Sequence, residues 1–263
     1  LWDDGRVGGA FDTPTQWSQL AQLLTSAAEG VHDAAGDQMP KLIVHIAAGG
    51  DWSATRWYFD HLEEHGVPFD MIAQSYYPWW HGSPDALQDC LTNTAARYGR
   101  PLLVAETAFP WTGPSDFFGF PPTPDGQVAF TVALAEIVKG GPDQLGTGII
   151  WWGTEYQDLP GYGLADFNHR SFFGADGSVL PVAAALGQLT EPIRISSRRQ
   201  GDDLILRWPL SGAGACLASA TNLQAASSWR PQLALPPLYT QGQFQVVTPL
   251  SAPARRYFRL QSP

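Results

Sequence analysis

The stretch Leu102–Pro110 reads LLVAETAFP and decides the fold prediction. Its first residues form a short apolar run, which is typical of a strand buried on both faces of a parallel sheet. Glu106 follows that run directly. A side chain at the end of a buried strand is held rigidly at a pocket mouth, so Glu106 is a candidate for chemistry. A single carboxylate in this place also fits an ion pair with an arginine or a cap of the next element.

Three further apolar runs are similar to this one, and amphipathic segments lie between them. The predicted strands are Leu42–Ile46, Met71–Ser75, Leu102–Ala105 and Gly148–Trp152. The predicted helices, several of which begin at capping residues and end at glycine, are Thr15–His32, Ser53–His65, Pro84–Tyr98, Thr123–Lys139 and Val179–Leu189. This alternation predicts a parallel α/β architecture with right-handed crossovers.

Two parallel architectures compete, an open doubly wound sheet and a closed (β/α)8 barrel. The glycine-rich phosphate turn of a dinucleotide-binding unit follows none of the predicted strands, which weakens the open sheet. Catalytic residues of barrels lie at the carboxyl ends of the strands. The polar and aromatic residues at these ends are His45, Tyr76, Tyr77, Glu106, Trp151 and Trp152.

The character of the sequence changes near residue 190. Short β-like runs then alternate with Gly, Ser, Asn and Pro turns, and these runs are Asp203–Trp208, Gln243–Val247 and Arg256–Leu260. We therefore predict a TIM-barrel domain over residues 1–190 and a small β-sandwich-like, all-β domain over residues 191–263. The second domain is expected to be a spacer or anchoring module, with a carbohydrate-binding module as the alternative.

Composition and charge exclude several function classes. The 263 residues carry a formal net charge of −10, which argues against a nucleic-acid partner because phosphate binding needs clustered Lys and Arg. No apolar run is long enough to span a membrane. Cys90 and Cys216 lie far apart, so no disulfide is predicted. The 11 Trp, 8 Tyr and 13 Phe fit either a large core or faces on which sugars stack.

The other strand ends strengthen the interpretation of Glu106. Residues 75–80, SYYPWW, place four aromatic side chains in a segment with a proline, which suits a sugar platform whose Tyr hydroxyls reach Glu106. His45 stands between apolar residues and fits either a core histidine or a site residue. One of Trp151 and Trp152 must face the surrounding helices, because neighbours on a strand point to opposite faces.

Four longer strings make this interpretation specific. They read KLIVHIAAGGDWSATRWYFDHL, FDMIAQSYYPWW, GRPLLVAETAFPW and HRSFFGADGSVLPVAAAL. Together they resemble the endo-β-1,4-galactanases that cut arabinogalactan, glycoside hydrolase family 53, over about residues 1–190. The resemblance implies a (β/α)8-barrel glycoside hydrolase that needs no cofactor and acts with retention, through a covalent glycosyl-enzyme intermediate.

The resemblance also implies roles for particular residues. Glu106 matches the family's nucleophile, and His45, Tyr76 and Tyr77 match residues near the cleavage point. The residues expected to hold galactose units or contact sugar are Asp51, Trp52, Trp111 and Trp152. No metal site is predicted: some family members bind calcium in the last loop, but the pair 168–169, Asn-His, supplies too few oxygen donors.

The sequence departs from the family pattern in three places. The family's acid/base is the Glu of an Asn-Glu pair at the end of the fourth strand, and Leu1–Trp2 resemble residues shortly after it. We therefore expect this chain to hold strands five to eight and only the nucleophile half of the site, with little or no hydrolytic activity alone. Trp152 is followed by Gly153 rather than Glu-Pro, and Gly49–Gly50 replace more polar residues.

Two other hypotheses for the function are compatible with the sequence. One is another retaining barrel glycosidase that acts on mannan, xylan or glucan, and the other is an inactive carbohydrate-binding fragment. The expected partner is a polysaccharide, with no nucleic acid and no membrane span. The full-length parent is expected to be a monomer, secreted or on the surface of a bacterial cell, although this sequence shows no signal peptide. Half a barrel would leave two strand edges unpaired, so a truncated sequence is expected, with a dimerising half-barrel as the alternative.

Overall fold

The computed structural model describes residues 13–157, 167–222, 229–232, 235–250 and 255–261. Leu1 and Trp2, on which the expected position of the acid/base depends, lie outside these ranges. The first part of the chain alternates helices and strands, with ends that differ slightly from the predicted ones. In order, its elements are α1 (Pro14–Ala35), β1 (Ile43–Ile46), α2 (Trp52–Glu64), β2 (Met71–Ser75), α3 (Pro78–His81), α4 (Pro84–Tyr98), β3 (Leu102–Thr107), α5 (Pro124–Lys139), β4 (Gly146–Trp151) and α6 (Pro181–Gly187).

Four of the helices, α1, α2, α4 and α5, begin at a residue whose side chain caps a free backbone N–H group. The Thr13 side chain and Gln16 form a reciprocal capping box at the start of α1. Ser83 and Thr123 cap α4 and α5, and each is followed by a proline, whose fixed φ suits the first helical turn. Helix α4 ends at Gly99, which adopts the left-handed conformation that favours glycine.

The four strands β1 to β4 form one parallel sheet in sequence order. Because crossovers between parallel strands are right-handed, this order places the connecting helices on one face of the sheet, as in a barrel wall. A register shift after Gln74 brings Ser75 opposite Glu106 on β3, and Thr107 lies opposite Trp151 on β4. The carboxyl ends of β2, β3 and β4 are therefore adjacent.

The two faces of this sheet differ. Helices cover one face, where Ile72 and Val104 are fully buried among side chains such as Phe59 and Leu62. On the other face Ile43 and Ile150 are about half exposed, at 44% and 52%. His45 lies two residues after Ile43 and therefore shares that face.

The second part of the chain is all-β. A four-stranded antiparallel sheet has the order β5–β6–β10–β9, and a three-stranded one has the order β11–β7–β8. The strands are β5 (Ser196–Gln200), β6 (Asp203–Trp208), β7 (Cys216–Ala220), β8 (Arg230–Pro231), β9 (Leu238–Thr240), β10 (Gln243–Pro249) and β11 (Tyr257–Gln261). The three predicted β-runs correspond to β6, β10 and β11.

A second core joins the two parts. Trp208, Leu217 and Phe244 from both sheets pack in one cluster with Val132 of α5 and Ala185 of α6. The all-β part is thus seated on two barrel helices through apolar contacts, while the domain boundary at residue 190 stays a prediction. Cys90 and Cys216 are both free thiols. No helix in the described ranges is both long and apolar enough to cross a membrane.

Candidate active site

Three strand ends bring His45, Ser75 and Glu106 together. The His45 Nε2 atom lies 2.8 Å from the Ser75 hydroxyl oxygen, and that hydroxyl donates to Glu106 Oε2 at 3.3 Å. Because the Ser75 proton is directed at the carboxylate, the Nε2 atom of His45 is the donor in the other bond. The His45 Nδ1 atom lies 4.0 Å from Glu106 Oε1. The side chains of His45 and Glu106 are about one-third exposed, so a ligand has access to the carboxylate.

Tyr77 supplies a second hydrogen bond to the carboxylate. Its hydroxyl donates to Glu106 Oε2 at 3.2 Å. Burial, together with the negative charge of Glu106, raises the pKa of the Tyr77 phenol above its ordinary value, while the nearby Arg170 lowers it. The phenol therefore keeps its proton at neutral pH and remains a donor. One oxygen of Glu106 is thus fixed by two hydroxyl groups.

A short helix holds Tyr77 in place. Tyr77 is the N-cap residue of α3, and its backbone N–H donates to His81 Nδ1 at 2.9 Å. Burial lowers the pKa of the His81 imidazole, although the charge of Glu106 raises it, so the net shift favours the neutral ring that can accept this bond. A side chain at Gly50 would collide with the His81 carbonyl, so the chain passes α3 too closely for any other residue.

An aromatic wall, Tyr77, Trp79, Trp80 and Phe167 with Arg170, stands beside the carboxylate. The Tyr77 ring lies 5.3 Å from Trp79, 5.2 Å from Trp80 and 5.9 Å from Phe167. The Arg170 guanidinium lies 4.0 Å above the Trp79 ring and 4.7 Å from that of Phe167. Trp80 is 63% exposed. The wall therefore offers an apolar surface with one positive charge.

Trp151 and Trp152, at the end of the last strand, point to opposite faces of the sheet, as predicted. Trp151 is buried at 7% exposure, and its Nε1 donates to the Arg170 carbonyl at 2.9 Å. Trp152 is 44% exposed, and its backbone N–H donates to the Thr107 carbonyl beside Glu106. Trp152 is thus available to a ligand at the same edge of the sheet.

The Tyr76 side chain points away from the Glu106 carboxylate, which corrects the expectation that both Tyr hydroxyls reach it. Its side chain is fully buried, and its hydroxyl donates to the Gly82 carbonyl at 2.9 Å. The ring lies parallel to Phe130 of α5 at 6.2 Å. Successive residues point to opposite sides of an extended chain, so only one of the two tyrosines can face the carboxylate.

Two other expected sugar-binding residues take part in helix contacts. The Asp51 carboxylate accepts from the Ala54 N–H at 2.9 Å and so caps α2. Trp52 lies edge-on to Tyr98 of α4 with ring centroids 6.5 Å apart. These contacts place the pair in the helix layer, and the expected contact with galactose units stays a prediction.

Trp111 lies just beyond the β3 end. Its backbone N–H donates to the His169 carbonyl at 2.9 Å, and its ring packs against the main core. The indole Nε1 atom is buried, and within the described residues it has no hydrogen-bond acceptor. A direct sugar contact by Trp111 also stays a prediction.

Sequence reasoning missed three participants, Ser75, His81 and Arg170. Ser75 ends a predicted strand next to the one that carries Glu106, so the edge position was a usable signal. His81 follows SYYPWW at a spacing of one helical turn from Tyr77, but a four-residue helix leaves little pattern. Nothing local in the sequence connects Arg170 with Trp79.

Metal ligands do not form a group in the described part of the chain: no three His, Cys, Asp or Glu side chains there lie close enough to hold an ion. The side chain of Asn168, considered above as a calcium ligand, lies outside the described part of the structure. The site is therefore built from one accessible carboxylate, two hydroxyl donors, a histidine and exposed aromatic rings. This combination at the carboxyl ends of parallel β-strands is typical of barrel enzymes that act on carbohydrates.

The chain belongs to glycosyl hydrolase family 53, whose family description matches residues 1–186. Among curated relatives, an uncharacterized protein of the bgaB 5' region from Niallia circulans is 40% identical over 58% of this chain and 45% of its own length. An arabinogalactan endo-beta-1,4-galactanase from Thermothelomyces thermophilus is 31% identical over 58% of this chain and 47% of its own length. The chain thus spans about half the length of the curated relatives it matches.

Solved structures confirm the fold class. The GH53 catalytic domain of Ignisphaera aggregans has a TM-score of 0.58 and 29% identity, over 64% of this chain and 51% of that one. A fungal beta-1,4-galactanase also has a TM-score of 0.58, with 27% identity, over 68% of this chain and 55% of that one. The parallel part is accordingly a portion of a (β/α)8 barrel, followed by an all-β region.

Proposed function

We propose that this chain carries the nucleophile half of a retaining, endo-acting hydrolase of β-1,4-galactan in plant cell-wall polysaccharide. The observation that carries the proposal is the position of Glu106, together with its exposure and its hydrogen bonds. It ends a barrel strand, is accessible, and accepts hydrogen bonds from Tyr77 and Ser75 at 3.2 and 3.3 Å. Relatives of the same family are arabinogalactan endo-beta-1,4-galactanases.

In the proposed reaction Glu106 Oε1 attacks the anomeric carbon of a galactosyl unit. The hydroxyls of Tyr77 and Ser75 both bind Oε2, so the other oxygen is left to attack. Exposed Trp152 and Trp80 provide rings for the apolar faces of sugar units. A retained configuration results when water later displaces Glu106 from the same carbon.

A second carboxyl group is needed to protonate the leaving oxygen and then to activate water. In retaining enzymes the two carboxyls lie roughly 5–5.5 Å apart. The described residues that touch the Glu106 carboxylate are His45, Ser75 and Tyr77, and none of them is a carboxylic acid. We place the acid/base in the half of the relatives' length that this chain does not match, and expect little turnover of polysaccharide by residues 1–263 alone. The relatives' substrate also leads us to propose an extracellular location.

The test uses a substrate that needs no acid. A dinitrophenyl β-galactobioside has a leaving group that departs without protonation, so Glu106 alone should displace dinitrophenolate and carry the galactobiosyl group. Mass spectrometry of peptides from residues 1–263 should find one galactobiosyl group on the peptide that contains Glu106. Release of dinitrophenolate without an adduct, or an adduct on another residue, would contradict the nucleophile assignment.

A substrate panel separates galactan from the alternatives. The matching dinitrophenyl β-mannobioside, β-xylobioside and β-cellobioside should label Glu106 far more slowly than the galactobioside. Faster labelling by one of them would assign the site to that polysaccharide. Tight binding of galactan oligosaccharides with no labelling by any reagent would favour a carbohydrate-binding protein.

A further inference from the structure

The two parts of the chain have opposite charge. Residues 191–263 contain eight arginines, no lysine and three carboxylates, a formal charge of +5. Residues 1–190 contain the other seven basic residues and twenty-two acidic ones, a formal charge of −15. An acidic protein with one strongly basic region presents a local attraction for anions that its net charge of −10 conceals.

Two of these arginines share the outer face of the four-stranded sheet. In the antiparallel register Ser196 of β5 lies opposite Arg207 of β6, and Arg198 lies two residues from Ser196 on the same face. The neighbours Leu206 and Trp208 point the other way, into the core shared with α5 and α6. The face that bears Arg198 and Arg207 is therefore turned away from that core.

Amide side chains line the same face. Arg207 Nε donates to Gln245 Oε1 at 2.9 Å, and its Nη2 lies 3.5 Å from Gln241 Oε1. Gln200 of β5 is on this face as well, because it is two residues beyond Arg198. A guanidinium held by two amide oxygens is oriented before a ligand arrives, and the remaining amide and guanidinium N–H groups are donors.

Among the described residues, carboxylates offset these charges only in part: Asp203 of β6 lies opposite Gln200 on the same face, but it forms no ion pair with Arg198 or Arg207. In the described part of residues 191–263, one ion pair is present, between Arg199 and Asp202 at 3.9 Å, and both side chains are exposed. No ion pair between described residues joins the all-β part to the barrel part. Charges on β5 would also discourage pairing at a sheet edge, but Arg207 lies on β6, the second strand in the sheet.

We propose that this face, defined by Arg198, Gln200, Arg207 and Gln245, binds a polysaccharide that bears carboxylate groups. Guanidinium groups pair with carboxylates through two parallel hydrogen bonds, and the glutamine amides match sugar hydroxyls. Duplex DNA fits less well: it carries one charge per about 1.7 Å, so the acidic barrel part, at −15, would repel it more strongly than a polysaccharide with at most one carboxylate per sugar unit. This binding is separate from the proposed action of Glu106 on neutral galactan.

The experiment measures retention of the full chain on immobilised polygalacturonate. Wild type should bind at low ionic strength, dissociate as salt is raised, and show no such binding to neutral β-1,4-galactan through this face. Arg198→Gln should weaken binding about tenfold, the value of one charge-assisted contact. The matched control, Arg56→Gln, removes another exposed arginine, on α2, and should leave binding unchanged.

Three results would overturn the proposal. They are no binding by the wild type, equal weakening by Arg56→Gln, and tighter binding of single-stranded DNA than of polygalacturonate. The double variant Arg198→Gln/Arg207→Gln should abolish retention, and circular dichroism separates that loss from unfolding because Arg207 also binds Gln245. Glu106→Gln should bind polygalacturonate as wild type does, so failure of this proposal and failure of the galactanase proposal are distinguishable.

Discussion

The two sides of the β2 end use adjacent tyrosines for different purposes. Tyr77 faces the open edge of the sheet, where its hydroxyl binds Glu106. Tyr76 faces the helix layer, where it is fully buried, lies parallel to Phe130 and binds the Gly82 carbonyl. The same residue type thus binds the accessible carboxylate on one side and packs in the core on the other, and the alternation of the backbone decides which.

Replacing Glu106 should have the largest effect on the open side. Glu106→Gln keeps the shape of the side chain but removes the proposed nucleophile. Release of dinitrophenolate from the activated galactobioside should fall by on the order of 10⁴-fold or more, since loss of a nucleophile can lower an enzyme's rate by about 10⁶-fold. The melting temperature should change little, because Glu106 is about one-third exposed. Residual release within tenfold of wild type would remove Glu106 from the reaction.

Tyr77→Phe tests the hydroxyl that fixes the carboxylate. A hydrogen bond to a charged group contributes about 1.5–3 kcal/mol, so its loss should slow labelling of Glu106 by about 10- to 100-fold. Thermal unfolding provides the control and should stay close to that of wild type. An unchanged labelling rate would show that the 3.2 Å contact does not matter to the reaction.

His81 should affect the reaction through Tyr77. His81→Phe removes the acceptor of the Tyr77 N–H and should slow labelling by about tenfold, since a lost partner costs about 1–3 kcal/mol. His81→Asn keeps an acceptor near the position of Nδ1 and should restore most of the rate. Equal loss in both variants would mean that His81 acts only as a packing residue.

The same histidine predicts a pH dependence. Its folded-state pKa lies below the ordinary value of 6.5, so the unfolded chain takes up the proton first as pH falls. The free energy of unfolding that depends on a neutral His81 is therefore fully present above pH 6.5, the pKa of the unfolded chain. It is lost progressively as the pH falls below that value. Urea unfolding of wild type and His81→Asn should show a smaller loss of stability for the variant between pH 7 and pH 5. Parallel curves would contradict the assignment.

Tyr76→Phe should give the smallest change and the opposite pattern. Loss of the bond to the Gly82 carbonyl should lower the free energy of unfolding by about 1 kcal/mol. Labelling of Glu106 should proceed at the rate of wild type, measured well below the melting temperature. Slower labelling with unchanged stability would return Tyr76 to the site, as the family resemblance implies.

The sequence predicted the elements of the barrel part well because caps and apolar runs are local signals. Ser83 and Gly99 mark the ends of α4, and an apolar run marks β3. It also predicted the meeting of His45, Tyr77 and Glu106, since parallel strands end at one edge. It did not predict which tyrosine faces that edge, because the register shift after Gln74 is set by pairing between strands.

The remaining contacts depend on distant segments. Arg170 reaches Trp79 across ninety-one positions, and no periodicity connects the two. The short strands β8 and β9 carry too few residues to show alternation. Ser75 was partly predictable. The sequence placed it at a strand end, but its hydrogen bonds to His45 and Glu106 depend on how β1, β2 and β3 pair, which the sequence does not show.

The configuration of the product tests the central claim most directly. Azide attacks a glycosyl-enzyme without needing a general base, so residues 1–263 supplied with the dinitrophenyl β-galactobioside and azide should release galactobiosyl azide. If Glu106 is the nucleophile, two successive inversions give the β-azide, which proton NMR identifies by its anomeric coupling. The α-azide from wild type would mean direct displacement and would contradict the assignment of Glu106.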